Sequence, residues 1–285
     1  MLASLKTLLQ DAQKKRYAVG AFNVLNLEYI VGLVEASELE KAPIILQIST
    51  SIISLFGLET ILKPCLFLGE MAKTPICVHL DHGKSRNLIT KAMEAGFNSV
   101  MFDGSSLPLS ENIRETSYLA KLAHDKGISI EAEIGKVGKE EDMECQSGLN
   151  LQLTDVSDVQ AFVEETQVDA LAVSIGSIHG VKVPHINLEI GLLKEIKSKI
   201  STPLVLHGSS GVNDSSILLA IESGITKINV ATRLQVKVAE KFYHISKCNG
   251  DSYMTDSKFI SSTIIESVRN EAINKIKLFN SIRTE

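Results

Sequence analysis

The chain has no tryptophan, only 5% aromatic residues, four cysteines and six prolines in 285 residues. Each shortage removes a class of function. With so few aromatic faces, stacking on bases or sugar rings is not the main mode of recognition. Cys65, Cys77, Cys145 and Cys248 are far apart and form no CxxC pair, so they read as buried or incidental thiols rather than ligands or disulfides. No apolar run approaches the ~20 residues of a membrane-spanning helix. Basic residues are not in excess either: the formal net charge is -5, which argues against a nucleic-acid partner. The N-terminus runs into a charged amphipathic segment at residues 8–16 and lacks the apolar centre of a secretory signal, so the cytoplasm is the expected location.

What the chain does have is a repeated alternation. Short apolar runs, often β-branched, occur at residues 18–24, 43–50, 76–81, 99–103, 129–134, 170–175, 203–207 and 226–231. Between them lie segments of helical periodicity, including 27–39, 86–95, 111–126, 156–166, 188–200 and 215–223. Near-continuous apolar strands suit a parallel sheet covered on both faces. Eight such units predict a (β/α)₈ TIM barrel, with a doubly wound open sheet as the alternative. Residues 136–153 form a charged, irregular stretch long enough for a functional loop. Residues 234–247 and 259–279 read as two helices of a C-terminal extension, 234–285, to a single domain over 1–285.

Three of the apolar runs end in histidine followed by glycine: His82-Gly83, His179-Gly180 and His207-Gly208. A lone strand-end histidine is usually structural. Three on one barrel rim match a catalytic metal site, with three protein ligands and an open position for a substrate oxygen. Zinc suits this donor set best, and cobalt or another divalent ion can take the same ligands. His79 lies deeper in its strand and reads as an interior histidine.

Two further signals sit beside these histidines. Gly208, Ser209 and Ser210 follow the seventh strand, and Asn229, Val230, Ala231 and Thr232 end the eighth. Loops after these two strands of a barrel often bind phosphate with backbone N–H groups and hydroxyls. Asp81 adjoins His82 and suits acid–base work. Glu131 and Glu133 lie in an apolar run, where carboxylates need partners or a polar barrel lumen. Glu140-Glu141-Asp142 reads, on spacing alone, as a solvated acidic loop.

At these residues the sequence resembles the class II, metal-dependent ketose-bisphosphate aldolases, which include fructose- and tagatose-bisphosphate aldolases. The resemblance covers nearly the whole chain. It rests on Tyr17-Ala18-Val19-Gly20-Ala21-Phe22-Asn23, His79-Leu80-Asp81-His82-Gly83, Asp103-Gly104-Ser105, Glu131-Ala132-Glu133-Ile134-Gly135, Ile178-His179-Gly180, Leu204-Val205-Leu206-His207-Gly208 and Asn229-Val230-Ala231-Thr232.

The resemblance implies a (β/α)₈ barrel that reversibly cleaves a ketose phosphate to dihydroxyacetone phosphate and an aldehyde. It implies His82, His179 and His207 as zinc ligands, Glu133 as an alternate metal contact, and Asp81 as proton donor. It also implies Glu141 as the carboxylate that deprotonates dihydroxyacetone phosphate, reversing the reading of that loop from spacing. Gly180, Gly208 to Ser210 and Asn229 to Thr232 would hold the substrate phosphate, with sodium or potassium nearby. A homodimer or homotetramer is implied, with the C-terminal helices as contacts. A class I aldolase would need a Schiff-base lysine, and no lysine ends a strand as these histidines do.

The chain departs from the family in its distal half. Gly138-Lys139 stands where relatives have Gly-Gly, and Asp251-Ser252-Tyr253 where many have Asp-Pro-Arg before a tyrosine. Arg269 is the candidate for the distal phosphate. These departures leave open an aldolase for another sugar or sugar-acid phosphate. A non-catalytic sugar-phosphate-binding barrel is the alternative of a different class.

Overall fold

The computed structural model describes residues 1–139, 152–182, 185–249 and 256–280. Eight parallel strands close into a barrel in the order β1 (Val19–Asn23), β2 (Ile44–Ser49), β3 (Ile76–Gly83), β4 (Ser99–Phe102), β5 (Ser129–Ile134), β7 (Ala170–Val173), β9 (Leu204–Leu206) and β10 (Ile225–Val230), which pairs back onto β1. Two short strands, β6 (Gly138–Lys139) and β8 (Ile178–His179), pair with each other outside the barrel. The expected (β/α)₈ barrel is therefore the observed one, and the open sheet is not.

Helices surround the strands: α1 (Leu5–Lys15), α2 (Leu27–Glu40), α3 (Thr50–Phe56), α4 (Leu58–Met71), α5 (Arg86–Ala95), α6 (Leu109–Asp125), α7 (Val156–Thr166), α8 (Ile190–Lys199), α9 (Asp214–Glu222), α10 (Thr232–Asn249) and α11 (Ser257–Asn280). Ser4, Asn26, Ser85 and Asp155 cap α1, α2, α5 and α7 by accepting a backbone N–H of the first turn. The β2–β3 connection holds α3 and α4, which periodicity does not single out. Pro64 lies inside α4 and removes one helical hydrogen bond, so the sequence reads there as broken.

Strand alternation divides the barrel interior into levels. Lowest are Val19, Ala21, Ile45, Cys77, Ala170, Ala172 and Val205, which pack with Leu5, Leu8 and Leu9 of α1 into one apolar cluster. Helix α1 thus plugs the N-terminal end of the barrel. Above this plug, Gln47, His79, Ser99, Glu131 and Lys227 are fully buried polar residues. Asn23, Asp81, Glu133, His207 and Asn229 lie above these, toward the C-terminal ends of the strands. A separate, larger apolar cluster fills the space between strands and outer helices.

Helix α11 closes the outer ring by packing against α2 and β1. Phe279 is buried there, and its carbonyl accepts the Ala18 N–H at 3.2 Å. No single helix among the described residues is long and apolar enough to cross a membrane.

Candidate active site

Asp81 and His82 are consecutive, so a regular strand would send them to opposite faces. The β3–β4 register slips between Leu80 and Gly83, and His82 adopts a left-handed backbone with φ of 50°. This bulge turns the imidazole back over the barrel mouth beside Asp81. The strain, roughly 1–3 kcal/mol, is of the kind that persists at functional sites. Gly83 follows because a Cβ there would lie 2.7 Å from the Met101 carbonyl oxygen.

His207 comes directly after β9, as expected. His179 does not end the sixth barrel strand: β7 stops at Val173, residues 174–177 leave the barrel, and His179 lies in β8. Its pairing with β6 (Lys139 opposite His179) holds it over the rim. The three imidazoles nonetheless converge, with ring centroids 4.7–5.9 Å apart and planes near perpendicular.

One nitrogen of each of the three rings lies within 4.8 Å of the others. His207 Nδ1 and His82 Nε2 are 3.1 Å apart. Two nitrogens bound tetrahedrally to zinc at ~2.0–2.1 Å would be ~3.4 Å apart, so the pair is close to the spacing a shared cation imposes. Each of these rings also has a carboxylate on its other nitrogen: His82 Nδ1 is 3.0 Å from Asp103 Oδ2, and His207 Nε2 is 2.9 Å from Glu131 Oε1. That is the usual outer support of a metal-binding histidine.

His82, Asp103 and Glu133 form a second group with ligand atoms within 4.8 Å of one another. Glu133 Oε2 is buried without a hydrogen-bond partner among the described residues, and lies 3.7 Å from His207 Nδ1 and 3.9 Å from His82 Nδ1. A buried carboxylate oxygen left unpaired beside imidazoles fits a cation.

The electrostatics agree. Burial opposes charge on His82, but Asp81, the bond to Asp103 and the charge of Glu133 outweigh it and raise its pKa to about 9. Burial pushes Glu133 up to about 7, and His207 and His79 well below the usual histidine value. Burial would also raise Asp81, yet the imidazoles of His82 and His207, the Lys227 ammonium and an Asn23 hydrogen bond hold it below the ordinary aspartate value. A pocket that keeps a proton on an imidazole up to about pH 9 is one that favours positive charge.

Asp81 is held from two sides. Asn23 Nδ2 donates to its Oδ2 at 2.9 Å, and Asn229 Nδ2 reaches its Oδ1 at 3.4 Å. Asp81, His82 and His179 share one cavity with Gly180, Gly208, Ser209, Ser210, Asn229, Ala231 and Thr232. Gly208 has φ of 65°, and a Cβ there would lie 2.8 Å from the Ile178 carbonyl carbon. The Ser209 hydroxyl donates to the Asn229 carbonyl, tying the two loops together. Helix α10 begins at Thr232, which lines this cavity with Ala231, so the positive N-terminal end of the helix lies beside it and suits an anion. The Val230 side chain belongs instead to the apolar layer behind the strands, because alternation sets it opposite Asn229. Any ligand contact it makes is through its backbone.

One candidate residue, Arg269, is not brought here, and another falls outside what the structure describes. Glu141 lies outside the described residues. Arg269 pairs with Glu35 at 2.9 Å beside Thr74 and Pro75, which precede β3 at the opposite end of the barrel. His79 is interior, as expected, with Nδ1 2.8 Å from Ser99 Oγ.

Asp103, Asn23 and Lys227 are part of the site without having been assigned a role in it. Lys227 is fully buried inside β10, with Nζ 2.9 Å from Glu131 Oε2 and 2.8 Å from Asn229 Oδ1. A search for strand-end lysines passes over it. The available signal is its parity with Asn229, two residues on in the same strand. Its ammonium donates to Asn229 Oδ1 and pairs with the Glu131 carboxylate, unlike the open amine that a Schiff base needs.

The comparisons agree with this barrel. The chain belongs to the family described as Fructose-bisphosphate aldolase class-II, which it matches over residues 3–284. It is therefore an aldolase, a lyase of a family that is generally metal-dependent and acts on small sugar phosphates. It is 37% identical to the Sulfofructosephosphate aldolase of Alkalicoccus urumqiensis over 97% of this chain and 96% of the relative. It is also 37% identical to the Fructose-bisphosphate aldolase of Staphylococcus aureus, covering 98% of each. A third relative, the 6-phospho-5-dehydro-2-deoxy-D-gluconate aldolase of Bacillus licheniformis, is 37% identical over 98% of this chain and 94% of the relative. Among solved structures, the YdjI aldolase of Escherichia coli K12 superposes with a TM-score of 0.86 at 33% identity, covering 99% of this chain and 98% of that one.

Proposed function

We propose that this protein is a zinc-dependent aldolase that reversibly cleaves a ketose phosphate, such as fructose- or tagatose-bisphosphate, to dihydroxyacetone phosphate and an aldehyde. The observation that carries this reading is the convergence of His82, His179 and His207, the first two of which share one cavity with Asp81 and the Gly208 and Thr232 loops. The three histidines would hold the zinc, and Glu133 lies where it would contact a cation in an alternate position. When bound, zinc supplies Lewis-acid stabilisation of the negative charge that develops as the carbon–carbon bond breaks.

The chain's own residues do the rest. Gly180, Gly208, Ser209, Ser210 and the Asn229–Thr232 turn hold the phosphate, with the N-terminus of α10 favouring its charge. Sodium or potassium would sit beside it. Asp81 takes the hydroxyl proton on its carboxylate during cleavage and returns it in condensation. Asn23 and Asn229 fix that carboxylate by donating to it. Glu141 is the proposed group for the carbon-bound proton of dihydroxyacetone phosphate. The assembly would be a homodimer or homotetramer.

The relatives' names cover sulfofructose phosphate, fructose bisphosphate and a deoxygluconate phosphate, which favours a second reading: the same chemistry on another sugar or sugar-acid phosphate. A cleavage assay of the zinc-loaded protein over a panel of these substrates tests both, with dihydroxyacetone phosphate trapped by a coupled reductase. Chelator-sensitive release of dihydroxyacetone phosphate is expected, and the preferred substrate decides between the readings. No release from any substrate at stoichiometric zinc would overturn both.

A further inference from the structure

We propose that Lys227 is a positioning residue: its one buried ammonium sets both the tautomer of His207 and the amide orientation of Asn229. The proposal rests on the metal-site reading of His207 given above. Lys227 is 0% exposed, and no charged group in the lumen level it occupies is exposed either. An ammonium has three donors and no acceptor. Whatever it touches must accept.

The first consequence runs through Glu131. Its Oε2 lies 2.9 Å from Lys227 Nζ and its Oε1 lies 2.9 Å from His207 Nε2. Glu131 thus faces a nitrogen donor with each of its two oxygens, the geometry of a carboxylate that accepts on both sides. A carboxylate that accepts from the ammonium and from the ring requires the hydrogen on His207 Nε2. The lone pair is then on Nδ1, the nitrogen 3.1 Å from His82 Nε2 and turned toward the converging rings. Lys227 thereby holds His207 in the tautomer that can ligate a metal at that point.

The second consequence runs through Asn229. The atom 2.8 Å from Lys227 Nζ must be its carbonyl Oδ1. That leaves the amide Nδ2 on the other side, aimed at Asp81 Oδ1. A flipped amide would set one oxygen against another there. Asn23 is arranged in the same way on the far side of Asp81: its Oδ1 accepts from Gln47 Nε2 at 3.1 Å while its Nδ2 donates to Asp81. A level of buried donors beneath the site therefore orients the groups that hold Asp81, and Lys227 alone among them also orients a metal ligand.

The test uses the whole protein and the metal alone, with turnover kept as a separate assay. Histidine-selective ¹⁵N labelling reads the tautomer of His207 in the wild-type protein, metal-free and zinc-loaded; hydrogen on Nε2 is expected in both. Lys227→Met combined with Glu131→Gln removes both charges, leaving no unpaired ion. This variant should lose the single tautomer and weaken zinc binding by roughly 10–100-fold in chelator competition. It should also broaden the visible spectrum of the cobalt-substituted protein. Lys227→Arg, which keeps a donor-only cation, should retain the tautomer and most of the affinity. Hydrogen on Nδ1 in the metal-free wild type would overturn the proposal, whether or not the variants fold. So would a folded double variant with unchanged tautomer and zinc affinity within twofold of wild type. Absence of aldol cleavage would count against the function proposed above, and leaves these tautomer and affinity results to judge Lys227.

Discussion

His82 Nδ1 lies 3.0 Å from Asp103 Oδ2, and Asp103 in turn accepts from the backbone N–H and hydroxyl of Ser105. The aspartate is thus fixed from behind, and it fixes the ring plane and tautomer of His82. Asp103→Asn keeps the shape and removes the charge. It should weaken zinc binding by roughly 10–100-fold, as loss of such outer partners usually does, and should lower the thermal midpoint of the chelated protein, because Asp103 helps hold the proton on His82. Chelator competition measures the first and calorimetry the second; wild-type affinity would show that the contact does not support the metal.

His179 approaches from β8, outside the barrel ladder, so its removal disturbs no barrel strand. His179→Ala should fold normally and lose most bound zinc and nearly all turnover. Metal analysis after dialysis decides this, and full retention of zinc would remove His179 from the ligand set.

Asp81 is buried, hydrogen-bonded by Asn23, and 3.9 Å from His82 Nε2. If it moves the hydroxyl proton and does not hold the metal, Asp81→Ala keeps stoichiometric zinc and loses ~10²–10⁴-fold in kcat. Steady-state rates and metal content on the same preparation check both halves. A rate near wild type would reassign the proton to another group.

The barrel was legible because its strands are β-branched runs at βα spacing, and that signal belongs to the chain itself. Histidines followed by glycine marked the strand-end and rim positions that the fold brings together. The remaining details were not legible because they depend on neighbours distant in sequence. His179 sits in a rim pairing with Lys139, a partner that no local pattern announces. His82 faces the same way as Asp81 only because β3 bulges against β4. Lys227 ends no strand, and its place in the site depends on Glu131, which β5 brings beside it. Arg269 sits near the C-terminal end of the sequence, yet α11 carries it to the far end of the barrel against Glu35.

That placement of α11 depends on one small residue. A Cβ on Gly32 of α2 would lie 2.7 Å from the Ile265 carbonyl oxygen and 3.3 Å from the Arg269 nitrogen. Alanine gains ~1 kcal/mol of helix propensity over glycine, but overpacking against a backbone costs ~1–3 kcal/mol. The second term wins because a backbone oxygen inside a helix cannot swing aside. Gly32→Ala should therefore lower the melting temperature by a few degrees with zinc content unchanged. A rise in melting temperature would show that α11 shifts at little cost.

Acid–base linkage gives different slopes for the two metal states. In the metal-free protein His82 has a pKa of about 9, against 6.5 for an ordinary histidine, because Asp81, Asp103 and Glu133 outweigh burial. The folded chain therefore binds this proton more tightly than the unfolded chain does. That stabilisation is complete below pH 6.5 and is lost as pH rises through 9. Glu133, raised to about 7 by burial, has the same sign, its share being lost as pH rises through 7. His207 and His79, held low by burial, act in the reverse sense, but only below pH 6.5. Between pH 7 and 8 the His82 term stands nearly alone, with a slope of at most ~1.4 kcal/mol per pH unit; toward pH 9 the buried Cys65 and Cys77 thiols, pushed up to about 12, add a loss of the same sign that is common to both metal states. The chelated protein should lose stability over this range. The zinc-loaded protein should lose less, since metal binding requires the deprotonated imidazole and strengthens as protons leave. Thermal melts of both forms at pH 7, 8 and 9 measure the two slopes; parallel curves would mean that His82 is not the group where proton and metal compete.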